Sequence, residues 1–311
     1  MSQSLISFSN LDNWLFVAPA LLLAVLSGYL SERVGIVNIA INGGMVFGGM
    51  FLSLMSYAFV PNANDSAPSW SLAISIPLSV IFASAVGFLF GIAAIKLKAD
   101  HVIVGTGVNL LGTGINFFVA QNARSLLNDT DLRVRYSFVR TGNSVSIEGI
   151  AIFAFAIIFV LLVWYLMNFT KTGLRYRAVG ENPNVIDNQG ISVYKYQWFG
   201  VMASTMVAAL AGCCFALSPQ VPSFSSGDVS GFGFIAIAIM IISMWRIIPS
   251  IVISPLFALA YVLTTGVVGN ANNTYLLRTI PFIISLLVMM VFGYLNVGPK
   301  NVGKHFDKGL R

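Results

Sequence analysis

In the run HVIVGTGVNLLGTGINFFVA, residues 101–120, the polar residues Thr106, Asn109, Thr113 and Asn116 recur at spacings of three, four and three. That spacing places all four on one face of a helix. Amides and hydroxyls hydrogen-bond but neither take nor release a proton near neutral pH, so the stripe argues against a proton relay. Surrounded by apolar residues, such groups either bond across helices or line a wet path. Gly105 with Gly112, and Gly107 with Gly114, lie seven apart on neighbouring faces, and small residues let helix backbones approach closely. A second polar set, Asn38 and Asn42, stands in SERVGIVNIAINGGMVFGGM ahead of Gly43 and Gly44. Runs of this kind form discontinuous helices whose free backbone groups line a cavity or are buried in protein, or else ordinary spans packed through glycines.

A third set is a polar island. KTGLRYRAVGENPNVIDNQGISVYKY, residues 171–196, holds four Lys or Arg and two acids in a chain that is only 9% charged. Within it Asn182 suits a helix N-cap and Pro183 a first helical turn, and NVIDNQG reads as a short helix closed by Gly190. A short helix of mixed charge beside a membrane is either a docking surface for something soluble or a bare connection.

No catalytic constellation or metal spacing accompanies these sets. His101 and His305 have no partner at ligand spacing, no Ser/His/Asp or paired-carboxylate arrangement is present, and Asp228 reads as a turn residue. The adjacent Cys213 and Cys214 sit in an apolar run and read as small packing residues. Four N-x-S/T matches, at Asn64, Asn128, Asn168 and Asn272, are explained by chance.

The elements that must carry these residues follow from composition. The 311 residues are 57% hydrophobic, with a mean hydropathy of +0.84. Soluble domains carry roughly 25% charged residues, so this chain belongs in a membrane. Nine apolar segments are predicted, near 13–30, 43–60, 71–95, 102–120, 149–167, 198–217, 232–246, 249–268 and 279–295. The expected fold is all-α, a single polytopic bundle over residues 1–311 with one discontinuous helix. The seventh segment is short and follows a Pro/Ser/Gly stretch, 218–233, that is able to dip partly into the bilayer. The first segment has no basic flank and reads as a retained span.

Grouped by alternate connections, Arg33, Lys96, Lys98, Lys171, Arg175, Arg177, Lys195, Arg246, Lys300, Lys304, Lys308 and Arg311 fall on one side, twelve of the seventeen cations. The positive-inside rule makes that side cytoplasmic and the N-terminus external. The net charge of +6 is thereby explained without nucleic acid. The remaining cations, Arg124, Arg133, Arg135, Arg140 and Arg278, lie outside, four of them in a 121–148 loop long enough for its own surface helix. No phosphate-binding glycine loop is present, so ATP, if it drives this protein, binds another chain.

Three runs resemble one family. SERVGIVNIAINGGM, the 171–196 island continuing into VAALAG, and GFGFIAIAIM resemble permease subunits of ABC importers in the branched-chain amino acid and simple sugar group, nearest the nucleoside-type permeases. ADHVIVGT followed by VNLLGTG fits as well, and the resemblance spans about residues 13–295. It implies that Gly180, Glu181, Asn182 and Pro183 begin a coupling helix, within a loop of about 168–197, that seats in the ATPase, with Arg175 and Arg177 beside it. It implies partners: an ATPase subunit that binds ATP and Mg, a second permease of the same or a different sequence, and an extracellular substrate-binding lipoprotein. It implies inward movement of nucleosides or related solutes, with simple sugars or branched-chain amino acids as the alternative. An ion-coupled secondary transporter would need carboxylates or His well inside a span, which the sequence lacks. Asn38, Asn42, Thr106, Asn109, Thr113 and Asn116 are the candidate path residues. Two positions depart from the pattern: the family often has Glu where Asn42 stands and Arg where Phe232 stands.

Overall fold

The computed structural model of the chain describes residues 8–60, 66–127, 134, 136, 146–218, 228–266, 274–293 and 298–307. It is all-helical among these residues. In chain order the helices are α1 (Phe8–Glu32), α2 (Ile41–Ala58), α3 (Leu72–Gly91), α4 (His101–Leu127), α5 (Ile147–Phe169), α6 (Lys171–Glu181), α7 (Pro183–Asn188), α8 (Val193–Ala216), α9 (Phe232–Ile242), α10 (Ile247–Gly266) and α11 (Thr274–Gly293). A single 3₁₀ turn, Ser69–Ser71, precedes α3, and a wide π turn, Ile92–Lys96, follows it. Among the described residues six helical stretches are long and apolar enough to cross a membrane: Asn10–Glu32, Ser69–Lys96, His101–Ala123, Ile147–Phe169, Val193–Ala216 and Ile247–Thr264. Phe232–Ile242 and Thr279–Val291 are shorter apolar helices.

The hydrophobic pattern decides who sits where. The most apolar part of α1 is 94% buried, because it packs against α5, α8, α9 and α10 at once. A helix apolar all round has no wet face to present. In α4 and α5 the corresponding shares are only 22% and 17%, so these helices turn most of their apolar surface outward, as a lipid-facing or subunit-facing helix must.

Close crossings use small residues. α2 meets α8 where Gly44 and Gly48 face Ala208, Ala209 and Gly212. A Cβ on Gly48 would overlap the Ala209 backbone, and one on Gly212 would overlap the Met45 carbonyl. In α4, Gly105 and Gly112 face Ile39 and Gly43, whereas Gly107 and Gly114 face open space. The two glycine pairs therefore play different parts.

The expected segments recur as helices, with three differences. The first half of the polar island, Lys171–Glu181, is a helix, α6, which the sequence did not announce, so Gly180 and Glu181 end that helix rather than beginning the next, which starts at Pro183 after the extended Asn182. The seventh segment is helical only over Phe232–Ile242. The expected dip at 218–233 and the surface helix at 121–148 fall largely outside the described residues.

Candidate functional site

The polar island folds as two short helices. Thr170 caps α6 by accepting a hydrogen bond from Gly173 N–H at 3.0 Å. Asn182 caps α7 by accepting from Val185 N–H at 3.3 Å, with Pro183 at the first helical position. Gly190 closes α7 at φ +78°, a left-handed backbone that favours glycine. Tyr176 and Val179 of α6 and Ile186 of α7 are buried, and the Tyr176 hydroxyl donates to the Leu30 carbonyl of α1. The opposite surface is free: Leu174, Arg175, Glu181, Asn182 and Val185 are exposed. Arg177 is half-buried and donates to Asn168 at 3.1 Å. Between these residues and Arg33 lies a shallow groove of about 440 Å³. Leu174 and Val185 were not singled out from sequence; their signal is an apolar side chain on the outer face of a polar helix.

The island is fastened to the ends of α1 and α9. Gly180 lies so close to the Arg33 carbonyl that a Cβ there would overlap it. Arg33 sends one guanidinium nitrogen to the Trp245 carbonyl at 2.6 Å, and another lies 3.9 Å from the Glu181 carboxylate. The Trp245 indole N–H donates to buried Glu32 at 2.5 Å. Met244 and Trp245 both have positive φ, 51° and 52°, which costs on the order of 1 kcal/mol or more for each non-glycine residue. The bonds to Glu32 and Arg33 hold that turn. Arg33, Lys98, Glu181, Trp245 and residues 301–307 are linked by direct contacts at one end of the bundle.

The second polar centre lies where helices break. Between α1 and α2 the chain is non-helical yet largely buried, so its backbone groups need partners. Asn38 supplies some: it donates to Ser204 at 2.7 Å and accepts from Ala40 N–H at 2.9 Å. Asn109 of α4 supplies others, donating to the Ile39 carbonyl at 2.9 Å and accepting from Gly43 N–H at 2.7 Å. Asn42 donates to Asp228 at 2.7 Å and accepts from Gly233 N–H at 3.2 Å. Asp228 also accepts from Gly231 N–H at 3.2 Å. An amide and a carboxylate thus hold the N-terminus of α9. The turn role read for Asp228 is present, and its link to Asn42 is an addition that sequence spacing could not reveal.

The α4 stripe divides. Asn109 and Asn116 are buried, while Thr106 is exposed and Thr113 half-exposed. Both threonine hydroxyls donate to carbonyls of their own helix, Thr106 to Ile103 at 3.0 Å and Thr113 to Asn109 at 3.1 Å. Asn38, Asn42 and Asn109 are brought together around residues 38–43; the threonines stand at the rim of that patch. Phe232 is fully buried, its ring centroid 4.5 Å from Phe215 and 4.6 Å from Tyr261. Cys213 and Cys214 are buried free thiols, as expected of packing residues. No group of three or more metal-ligating side chains occurs among the described residues.

The chain is 68% identical over 99% of its length to uncharacterized protein MG121 of Mycoplasma genitalium, covering all of that protein. It is 29% identical to the nucleoside ABC transporter permease protein NupC of Lactococcus lactis, over 95% of this chain and 96% of that one. It is 30% identical to the guanosine ABC transporter permease protein NupQ of Bacillus subtilis, over 96% of each. No solved structure gives a significant match. The profile of the branched-chain amino acid transport system / permease component family matches residues 10–286. The chain belongs to that family and is a multi-pass membrane permease subunit of an ABC importer.

Proposed function

We propose that this chain moves nucleosides inward across the cell membrane. ATP hydrolysis on partner ATPase subunits, which hold the ATP and Mg, drives the movement. The supporting observation is the folded α6–α7 segment. It buries one face against α5, α8 and the end of α1 and leaves Leu174, Arg175, Glu181, Asn182 and Val185 on the other. Leu174 and Val185 present apolar contacts within a charged rim, which is the make-up of a protein-docking surface. Gly180, Pro183 and Arg177 shape the segment and hold it in place.

The assembly comprises two permeases of different sequence, two ATPase subunits and an extracellular substrate-binding lipoprotein. The chain crosses nine times, with its N-terminus outside and its C-terminus in the cytoplasm; the distribution of Lys and Arg supports this orientation. On this reading Asn38, Asn42 and Asn109 hold the broken α1–α2 connection beside the path. Thr106 and Thr113 line the path at the edge of α4, and the buried Asn116 packs inside the bundle. Uncharged amides and hydroxyls suit a solute rich in hydroxyls and ring nitrogens better than an ion.

The test is ATP hydrolysis by the reconstituted complex with its binding protein and a panel of nucleosides. Stimulation by nucleosides that is lost in Glu181→Lys and Pro183→Ala, with assembly retained, supports both substrate class and docking site. Stimulation by sugars or branched-chain amino acids alone replaces the substrate class. Undiminished stimulation in both variants removes the docking assignment.

A further inference from the structure

The C-terminal residues 298–307 contain no helix, yet they are tied down along their whole length. Gly298 packs on the Trp245 ring, where a Cβ would lie 3.2 Å from the indole. Asn301 N–H donates to the Gly180 carbonyl at 3.0 Å, on the last turn of α6. Gly303 N–H donates to the Gly35 carbonyl at 3.0 Å. Phe306 is buried, with its ring 5.4 Å from that of Tyr194 at the start of α8, and the Tyr194 hydroxyl donates to the Phe306 carbonyl at 3.3 Å. The Lys98 ammonium lies 2.5 Å from the Asp307 carboxylate. The His305 ring meets His101, the first residue of α4, edge-on at 4.7 Å.

These contacts form one continuous connection. At one end is the docking segment, through Gly180. At the other is the N-terminus of α4, where Lys98 and His101 flank Asp100. Asp100 accepts from Val102 and Ile103 N–H at 2.8 and 3.1 Å and so caps the helix. α4 in turn carries Asn109, which holds the start of α2. Among the described residues α6 packs against α5, α7 and α8, and no appreciable helix packing joins it to α4. The tail supplies that link.

We propose that residues 298–307 are a transmission strap that carries movement of α6–α7 to α4, and that Asn301, Phe306 and Asp307 are positioning residues for transport. This rests on the docking role given to α6–α7 above. A rigid helix relays displacement along its axis. A strap held at both ends by a backbone hydrogen bond, a buried ring and an ion pair relays it between helices that do not touch. The Lys98–Asp307 pair is exposed and adds little to stability, as surface pairs do. Breaking it therefore tests transmission without unfolding the bundle.

The experiment uses the full complex, with ATPase, second permease and binding protein, in proteoliposomes. Solute moved per ATP hydrolysed is compared for the intact chain, a chain ending at Gly303, Asp307→Lys, and Lys98→Asp combined with Asp307→Lys. Truncation is expected to lower the ratio at least ten-fold while hydrolysis continues. Asp307→Lys should lower it several-fold, and the exchanged pair should restore it. An unchanged ratio in the truncated complex overturns the proposal. Where truncation prevents assembly, Asp307→Lys decides, and an intact ratio there overturns it equally.

A readout independent of the solute separates this from the substrate assignment. Asn122 is exposed near the far end of α4. In a background with Cys213 and Cys214 replaced by Ala, maleimide labelling of Asn122→Cys is followed with and without ATP and vanadate. A nucleotide-driven change in rate in the intact chain, abolished by truncation, supports the strap even if no nucleoside is moved. A change that survives truncation, or no change in the intact chain, overturns it.

Discussion

The α2–α8 crossing gives a sharp test of how this bundle is held. Gly212→Ala adds one methyl group whose carbon overlaps the Met45 carbonyl by roughly 1 Å or more relative to ordinary contact. Neither partner is the end of a flexible side chain, so the helices must separate. A gap of about 0.5–1 Å forfeits a quarter to a half of the dispersion energy of every atom pair along the seam. Overpacking costs about 1–3 kcal/mol where side chains can yield; here backbone meets backbone, so about 3 kcal/mol is the expected minimum. Gly107→Ala is the control, because nothing lies within 4 Å of a Cβ there. A helical Gly→Ala change otherwise gains up to about 1 kcal/mol. At roughly 2–4 °C per kcal/mol for a large chain, Gly212→Ala should melt about 10 °C below Gly107→Ala. Detergent-solubilised protein followed by fluorescence-detected gel filtration after heating gives both midpoints. Equal midpoints would refute the crossing as drawn.

Further outcomes are expected elsewhere. Trp245→Phe removes the indole donor to buried Glu32 and should destabilise the protein by about 1–3 kcal/mol, as leaving a buried polar group without its partner does; adding Glu32→Gln should recover part of it, measured by the same melting assay. Asn42→Asp would set a second carboxylate at hydrogen-bond distance from Asp228. Two carboxylates so placed cannot both ionise freely, so one pKa rises. Stability and uptake in that variant should be near normal at acidic pH and fall as pH rises, more steeply than in the parent. Gly180→Ala should press α6 away from Arg33 and lower uptake per ATP without preventing assembly, and Arg175→Ala on the exposed face should weaken ATPase binding while leaving the melting midpoint unchanged.

How much of this was legible beforehand varies with the range of the interaction. Local signals read well. Asn182, Pro183 and Gly190 are a cap, a first turn and a stop, and each acts through backbone within a few residues of itself. Hydropathy marked every long apolar segment. Helix α6 was missed because its residues are mixed in polarity, and its Thr170 cap looks like any loop threonine. Partners distant in the chain were not legible at all. The bond from Asn42 to Asp228 spans 186 residues and depends on how α9 enters the bundle. The same holds for the two departures from the family pattern. Asn42 accepts from Gly233, the neighbour of Phe232, so both departures stand at the entry of α9. At that entry Phe232 packs against Phe215 and Tyr261. The polar stripe of α4 was read correctly as a helical face, but spacing alone did not tell its buried amides from its threonine rim.

The enclosure of α1 bears on how the chain is made. This helix leaves the ribosome well before its partners α8, α9 and α10, which begin only at residues 193, 232 and 247. At about 5–20 residues per second of synthesis, α1 waits roughly ten seconds or more in lipid before α8 exists. Throughout that interval its mostly apolar surface, broken by Asp12, Asn13, Ser27 and Ser31, must be tolerated by the bilayer or by the insertion machinery. Assembly is thus largely post-insertional, and a chain truncated before α8 should insert α1 without a core to receive it. Such fragments should be recognised by membrane quality-control proteases, and lesions in α8 or α10 should lower the amount of protein before they alter its turnover number.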